Sequence, residues 1–429
     1  MSSRAVLTGL FLAVSFVLTG SAHAQATVVE GVQTSGSLYR ICTPPADKYN
    51  KVLIVYAHGF QNATDPVRIP EEQLAFGDVS LPNLATSLGF GFATNSYSKT
   101  GLAVRQGIED LLDLISIYER DIGKPNKVYI IGISEGGLIA TLLVEQHPEV
   151  FVGGLSACGL VGSFREQIRY LGDARATFEY YFPQLIPGDP LHPDPDLIAS
   201  WDGPEGYFET IVLPELTAPE NAAKFAEWVR VAKLPFDPAN RATTMLDSAR
   251  YVLSYNVMNL NDATETLGGF PYDNRLTWYA GASNPLALNL MVPRVSADPQ
   301  ALTEMRLRYT TTGKLERPLM TMHTELDPLV PYWHEPLYTL KNLPSQSYGK
   351  YRLNLPVNRY GHCNFMLPEA LGTFATLLAY NNDLHLLIDG LERQQASGAK
   401  PIAWPPQEET IAGGPGWQFR LPVQQSRRK

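Results

Sequence analysis

The sequence is poor in cysteine and in charged residues. Its 429 residues include 3 cysteines, and only 18% of them are charged. Three cysteines are too few for a disulfide framework, and no Cys-x-x-Cys pair is present to bind a metal. One disulfide among Cys42, Cys158 and Cys363 would be possible, but their spacing selects no pair. The sequence therefore favours three small buried side chains over a bridge.

Apart from Arg427-Arg428-Lys429, which is too short to form a basic patch, runs of lysine and arginine are absent as well. The formal net charge is −9, so the surface field repels phosphates, and no basic stripe interleaved with aromatic residues offers a local exception. We therefore expect no nucleic-acid partner. The composition, with 45% apolar and 10% aromatic residues, is typical of a globular protein with a large buried core.

The first 24 residues have the pattern of a secretory signal peptide. Arg4 precedes an apolar run over residues 5–18, and Ala22-His23-Ala24 provides a small-x-small cleavage site. The run is short for a membrane span, which takes about 20 residues, and no later stretch approaches that length. We therefore expect an exported protein that is cleaved near Ala24, has no stable membrane anchor, and resides in the periplasm or outside the cell.

Buried strands alternate with helices in two parts of the chain. Continuous apolar runs, typical of strands covered on both faces, predict strands over residues 51–59, 89–97, 127–133, 153–159, 318–323 and 351–357. Helical periodicity predicts helices over 102–123, 136–147, 334–342 and 368–379. This alternation predicts βαβ units and a mostly parallel central sheet flanked by helices.

A segment rich in proline and aromatic residues interrupts this pattern. After about residue 160 no buried strand is evident until residue 318, whereas helical stretches recur. We therefore expect an α/β core of residues 25–159 and 301–395, with an inserted, mainly helical cap over residues 160–300. Residues 396–429 form a C-terminal extension in this interpretation.

Ser134 has the sequence context of a nucleophile. Gly132-Ile133-Ser134-Glu135-Gly136 is a G-x-S-x-G pattern placed between a predicted strand and a predicted helix. On such a turn the hydroxyl projects above the carboxyl edge of the sheet, where the helix dipole favours negative charge. The alternative is an ordinary strand-to-helix turn with a solvent-facing serine.

A nucleophilic serine needs a base and a carboxylate that orients the base. Asp327 and His362 each follow a predicted strand, in the order Ser, Asp, His along the chain. Glu325 is the alternative carboxylate, and we favour Asp327 because the proline after it fixes a loop. The other histidines are weaker candidates for the base, and His323 lies too close to Asp327 to occupy a separate loop.

The oxyanion of an acyl-transfer intermediate needs two hydrogen-bond donors. We expect the backbone amide of Glu135, next to the nucleophile, and that of Phe60, after His58-Gly59, with Gln61 as a substitute for Phe60. The alternative for His58-Gly59 is a tight turn in which the imidazole satisfies loop carbonyls. His323, Glu325 and Asp327 could suggest a metal site, but their spacing at i, i+2 and i+4 does not converge on one ion.

Together these residues resemble the α/β-hydrolase superfamily. The resemblance rests on HG at 58–59, GISEGG at 132–137 and the order Ser134, Asp327, His362, and it covers residues 38–159 and 315–380. HTELDPLVP at 323–331 and YGHCNF at 360–365 are similar to exported esterases and prolyl-oligopeptidase-like hydrolases. The resemblance implies ester hydrolysis through an acyl-enzyme, without cofactor or metal, on a small-molecule or polymeric ester. Glu135 departs from the common pattern, and we expect it to hydrogen-bond within the cap or to tune the site.

The aromatic-rich cap suggests a substrate with an apolar or aromatic group. Residues 268–281 could line the site or pack inside the cap, and Arg275 could bind a carboxylate or pair with Asp273. Two other functions stay open: a serine peptidase with the same triad, and a non-catalytic binding protein on a hydrolase scaffold. The sequence does not indicate an oligomeric state.

Overall fold

A computed structural model describes residues 26–190, 192–347 and 349–396. The predicted signal peptide lies outside the described residues, as does the predicted C-terminal extension apart from Ala396. Within the described part of the chain, every helix is too short or too polar to span a bilayer.

The central sheet has eight strands in the order β1-β2-β6-β3-β7-β8-β9-β10. Its strands are β1 (Thr27–Val32), β2 (Leu38–Thr43), β3 (Val52–Ala57), β6 (Gly91–Asn95), β7 (Lys127–Ile133), β8 (Gly153–Ala157), β9 (Leu319–Leu326) and β10 (Arg352–Tyr360). Two short strands, β4 (Ala75–Phe76) and β5 (Val79–Ser80), form a separate hairpin. Strand β2 pairs antiparallel with both β1 and β6, and all other pairs in the large sheet are parallel.

Helices connect the strands and cover the sheet. They are α1 (Leu81–Ser87), α2 (Val104–Asp121), α3 (Glu135–Gln146), α4 (Phe164–Tyr181), α5 (Pro195–Ser200), α6 (Leu213–Thr217), α7 (Ala222–Val231), α8 (Arg241–Thr266), α9 (Pro285–Met291), α10 (Pro299–Arg308), α11 (His334–Asn342), α12 (Leu367–Tyr380) and α13 (Leu384–Ala396). Short 3₁₀ turns lie at Glu71–Gln73, Pro219–Asn221 and Pro238–Asn240, and a π-helical turn lies at Phe208–Val212.

Strand β3 shows why the sheet is buried on both faces. Leu53 and Val55 point into one apolar cluster, which they share with residues of α2 and α3. Ile54 and Tyr56 point into a second cluster, which they share with residues of α1 and α12. Because side chains alternate along a strand, a continuous apolar run fills both clusters. The predicted α/β-hydrolase architecture, a mostly parallel sheet between helices, is therefore confirmed.

The segment between β8 and β9, called the insert below, contains α4 to α10. It has its own apolar cluster, in which the indoles of Trp201 and Trp228 are fully buried. Its two ends join the core instead. Phe164 at the start of α4, Met305 in the last turn of α10 and Tyr309 directly after α10 pack in the cluster beside β3. The insert is thus anchored at both ends next to the carboxyl edge of the sheet.

The expectation that all three cysteines are simply buried apolar residues is wrong for two of them. Cys158, directly after β8, and Cys363, directly after His362, form a disulfide with their Cα atoms 5.3 Å apart. The partners are 205 residues apart in sequence, and only the parallel arrangement of β8, β9 and β10 brings their loops together. Cys42 is a buried free thiol, as predicted.

Candidate active site

Ser134 occupies a strained turn between β7 and α3. Its backbone has φ 55° and ψ −118°, a conformation that L-residues with a side chain rarely adopt. Glycines make the turn possible, since a Cβ on Gly132 would lie 1.9 Å from the carbonyl oxygen of Gly136. A Cβ on Gly136 would lie 2.1 Å from the carbonyl oxygen of Ala57. The G-x-S-x-G spacing thus reflects close backbone packing around the serine.

The structure brings the three predicted site residues together at the carboxyl edge of the sheet. His362 Nε2 lies 2.9 Å from Ser134 Oγ, and His362 Nδ1 lies 2.8 Å from Asp327 Oδ2. An ionised carboxylate only accepts hydrogen bonds, so Nδ1 carries the proton, and Nε2 is left to accept from the serine hydroxyl. This tautomer is the one that a general base for Ser134 requires.

Asp327 is a fully buried carboxylate held from both sides. Its Oδ1 accepts hydrogen bonds from the amides of Leu329 and Val330, each at 2.9 Å. Burial disfavours its charge, but the neighbouring imidazoles of His362 and His323 outweigh burial and lower the pKa of Asp327 to about 2. The alternative carboxylate, Glu325, is exposed and takes no part in this arrangement.

The predicted oxyanion donors are the backbone amides of Phe60 and Glu135. Both residues line the same cavity as Ser134, and neither amide donates a hydrogen bond within the described residues. The loop that carries Phe60 is fixed by Gln73, whose Oε1 accepts from the amide of Gly59 at 2.6 Å and whose Nε2 donates to the carbonyl of Phe60 at 3.3 Å.

His58 has a structural role in this loop. Its ring stacks on Tyr97 with the centroids 3.9 Å apart, and its Nδ1 lies 2.6 Å from the carbonyl oxygen of Gly59. Burial lowers the pKa of His58 to about 4, so the ring is neutral around pH 7. The imidazole therefore does satisfy a loop carbonyl, while the loop it supports carries Phe60.

Among the described residues, the Glu135 side chain makes no hydrogen bond to the predicted cap. Its Oε1 accepts a hydrogen bond from the amide of Ala103 at 2.8 Å, in the core loop that precedes α2. Burial raises the pKa of Glu135 to about 8, and the bond from Ala103 only partly offsets this. The carboxyl group thus connects the nucleophile turn to α2, and the carboxyl is largely protonated at neutral pH.

An apolar cavity lies beside Ser134, between the core and the insert. It spans about 850 Å³ between protein atoms, part of which is open to solvent. Side chains from both sides line it, among them Leu102, Val104, Leu138, Phe164, Ile168 and Leu260. Helix α8 covers it, and the ring of Tyr255 lies 5.5 Å from that of Phe60. The space next to the serine therefore suits an apolar group.

Residues 268–281 were expected either to line the site or to pack inside the cap, and they do both. Tyr272 lines the cavity, whereas Phe270 and Tyr279 pack in the apolar cluster of the insert. Trp278 is 64% exposed. Arg275 pairs with Asp273 at 2.9 Å, the second of its two predicted roles.

Sequence reasoning missed two features that touch the site. The disulfide places Cys363 Sγ 3.3 Å from His362 Nε2, and both bridged cysteines have left-handed backbones, with φ 47° for Cys158 and 53° for Cys363. His323, set aside as a weak candidate for the base, is fully buried, and its Nε2 lies 3.6 Å from Asp327 Oδ2. The signal in the sequence for this contact is the four-residue spacing of His323 and Asp327.

No protein-family model matches the sequence, and no curated protein does either. Solved structures do match. An esterase from Aspergillus oryzae is 16% identical with a TM-score of 0.47, over 79% of this chain and 72% of that chain. Candida antarctica lipase A is 14% identical with a TM-score of 0.43, over 83% of this chain and 77% of that chain.

An acylaminoacyl peptidase from Pyrococcus horikoshii also matches, at 10% identity and a TM-score of 0.39. The match covers 86% of this chain and 43% of the peptidase, so this chain spans less than half the length of that protein. All three TM-scores are below 0.5.

Proposed function

We propose that the protein is a serine hydrolase that cleaves carboxylic esters through an acyl-enzyme intermediate. The observation that carries the proposal is the hydrogen-bonded chain Ser134–His362–Asp327, with the serine at the wall of an apolar cavity. The strained turn at Ser134 and the two unused amides beside it support the same chemistry.

Acylation begins when His362 Nε2 takes the hydroxyl proton of Ser134 while Oγ attacks the ester carbonyl carbon. The carbonyl oxygen becomes an oxyanion, which accepts hydrogen bonds from the amides of Phe60 and Glu135. Asp327 holds Nδ1–H in place and stabilises the imidazolium. The intermediate then collapses, the ester C–O bond breaks, and the alcohol leaves with the proton from Nε2.

Deacylation repeats these steps with water. His362 Nε2 takes a proton from a water molecule, whose oxygen attacks the acyl carbon, and the oxyanion again lies against the two amides. When the bond from the acyl carbon to Ser134 Oγ breaks, Nε2 returns its proton to the serine. The carboxylic acid product leaves, and the enzyme is regenerated.

The substrate class follows from the cavity. Leu138, Phe164 and Leu260 offer apolar surface next to the serine, so burying an apolar group there is favourable by about 25 cal/mol per Å². We propose an ester with an apolar or aromatic acyl or alcohol group. The substrate is a small molecule, or one end of a polymeric ester that reaches the cavity.

We also propose that the protein is exported to the periplasm or beyond. The support comes from the signal-peptide pattern of residues 1–24 and from the bridge between Cys158 and Cys363. Disulfides persist in oxidising compartments and are rare in the cytosol.

The test compares an aryl ester with the matched aryl amide, each with the wild type and with Ser134→Ala. We expect ester turnover by the wild type that falls to background in the variant. Amide turnover at a comparable rate would favour the peptidase. If the wild type cleaves neither, an aryl fluorophosphonate tests the serine directly, and absence of a covalent adduct at Ser134 by mass spectrometry would contradict a nucleophilic role.

A further inference from the structure

We propose that His323, held as an imidazolium, is a positioning residue that fixes Asp327 from the side opposite His362 and sets the pH range of the enzyme. The part about activity rests on the proposed function. The part about protonation rests on geometry alone, because the partners of both ring nitrogens of His323 are defined.

Both nitrogens of His323 face groups that can only accept hydrogen bonds. Nε2 lies 2.7 Å from the carbonyl oxygen of Val330, and Nδ1 lies 3.3 Å from Glu335 Oε1. A carbonyl and an ionised carboxylate have no proton to offer, so each ring nitrogen must carry its own. A neutral ring would leave one of these contacts as a repulsion between two lone pairs.

The carboxylate of Asp327 lies between two imidazoles. Its Oδ2 is 2.8 Å from Nδ1 of His362 and 3.6 Å from Nε2 of His323. None of these three side chains has measurable exposure, so no water separates or screens them. Any change in the charge of His323 is therefore felt at Asp327 and, through it, at His362.

A row of alternating charges holds His323 in place. Glu335 of α11 contacts His323 on one side and Arg352 of β10 on the other, where carboxylate and guanidinium form a close ion pair. The hydroxyl of Thr321 donates to Glu335 Oε2 at 2.8 Å. The row runs Arg352, Glu335, His323, Asp327, and each member is at most 1% exposed.

The charged form of His323 is favoured by its neighbours despite burial. Burial alone would lower the pKa, but the hydrogen bonds and charges of Asp327 and Glu335 raise the pKa of His323 to about 10. The other titratable groups that face it do not compete. Tyr332 presents its ring edge-on at 5.9 Å, and burial keeps the pKa of His334 well below its usual range, so that ring is neutral.

The imidazolium has a definite consequence for catalysis. During each half-reaction His362 becomes positively charged. The positive charge of His323, which lies on the other side of the Asp327 carboxylate, repels this second positive charge. The acid limb of the activity profile therefore lies at lower pH than it would beside an isolated aspartate, and Asp327 is kept from rotating away.

The variant that tests this is His323→Gln in the full-length chain. Glutamine is neutral and can still donate to the carbonyl of Val330. We expect the midpoint of the acid limb of kcat/KM on an aryl ester to move up by about one pH unit. At the pH plateau we expect kcat to fall while KM changes less than twofold. An unmoved midpoint in a folded variant would overturn the proposal.

His334→Gln is the matched control. His334 has the same burial as His323, but its Nδ1 accepts from the amide of Gly162 at 3.0 Å and its Nε2 lies 3.0 Å from Gln167 Oε1. It therefore reports any loss of packing caused by the substitution alone, and the midpoint in this variant should stay at the wild-type value. A shift of equal size in both variants would mean that packing, not charge, is responsible.

A second measurement needs neither a folded variant nor turnover. Nitrogen-15 spectra of the histidine rings of the wild type at pH 8.5 should contain one ring that is protonated on both nitrogens, because an ordinary histidine is neutral at this pH. If all rings are neutral there, His323 is not an imidazolium and the proposal fails. A wild type that shows the charged ring but cleaves no ester would instead contradict the proposed function.

Discussion

At the scale of single residues, the carboxylate of Asp327 is satisfied at both oxygens. Two backbone amides hold Oδ1 and two imidazoles approach Oδ2, so the group is rigid before any substrate arrives. Its orientation decides which nitrogen of His362 carries the proton. In the proposed mechanism, the geometry of this residue, as well as its charge, matters for the reactivity of the serine.

Replacing Asp327 by asparagine tests this point. The amide of asparagine can donate a proton toward Nδ1, which would favour the tautomer of His362 in which Nε2 cannot accept the serine proton. We expect kcat on an aryl ester to fall by roughly 10⁴-fold, as with the same change in the best-studied serine enzyme. Steady-state kinetics on the purified variant measures this.

Glu325→Gln is the control for that experiment. Glu325 is exposed and two residues away, so we expect wild-type kinetics within about twofold, in line with the small effects of surface substitutions. If the Glu325 variant loses activity and the Asp327 variant keeps it, the orienting carboxylate has been assigned to the wrong residue.

At the scale of secondary-structure elements, the disulfide joins the loop after β8 to the loop after β10. Cys363 follows His362 directly, and Cys158 lies at the end of a strand that is buried over its whole length. The loop that carries the base is therefore fastened to a rigid part of the sheet. Strand β10, by contrast, is only half-buried and has a register irregularity between Val357 and Tyr360.

Removing the bridge should loosen the base. For Cys158→Ala/Cys363→Ala we expect kcat to fall about tenfold or more, since a small misplacement of a catalytic group is costly. We expect the free energy of unfolding to fall by about 2–5 kcal/mol, the range for a native disulfide. Ester kinetics and chemical denaturation measure the two effects.

Cys42→Ala is the matched control for the double variant. Cys42 is a buried free thiol in β2, and strands β6, β3 and β7 separate β2 from β8 in the sheet. We expect its loss to affect stability modestly and kcat not at all. Equal losses of kcat in Cys42→Ala and in the double variant would show that the bridge has no special role at the site.

At the scale of the whole molecule, the cavity belongs jointly to the core and to the insert. Leu138 comes from the core helix α3 and Leu260 from α8 of the insert. The insert is also bound to the core by an ion pair from Lys99 Nζ to Asp262 Oδ1 at 2.8 Å. In the proposed enzyme, substrate preference would depend on how the two parts fit together.

Filling the cavity from the insert should select against long acyl groups. For Leu260→Trp we expect kcat/KM for an aryl hexanoate to fall by about tenfold or more relative to an aryl acetate, because a lost apolar contact in a pocket costs about 1–3 kcal/mol. Leu290→Trp is the control, since Leu290 lies in the insert but is 75% exposed. A constant hexanoate-to-acetate ratio in Leu260→Trp would place the acyl group elsewhere.

Much of this fold is visible in the sequence because its strands are buried on both faces. Residues 128–133 form an unbroken apolar run, and β7 spans Lys127–Ile133, the predicted bounds. Strand β1 was missed because it lies at the edge of the sheet and alternates exposed with half-buried residues, which gives no continuous run. Helix α13 was missed for a related reason, since only three of its residues are buried and one of these is a glycine.

The site was predictable where its chemistry is local and unpredictable where it depends on contacts across the fold. Ser134 stands out because the turn needs Gly132 and Gly136 within two residues of it. The partner of Cys363 is 205 residues away, and no local pattern points to it. The partner of Glu135 is Ala103, whose backbone amide leaves no mark in the sequence at all.

The bridge beside His362 has a bearing on when the protein becomes active. It can form only after the chain has folded far enough to bring Cys158 and Cys363 together, and only where an oxidant accepts their electrons. A chain still in its dithiol form would have the serine and the base in place but the base poorly held. Oxidation would then serve as a maturation step, and the unoxidised precursor would be a weak hydrolase that spares the esters of the cell that makes it.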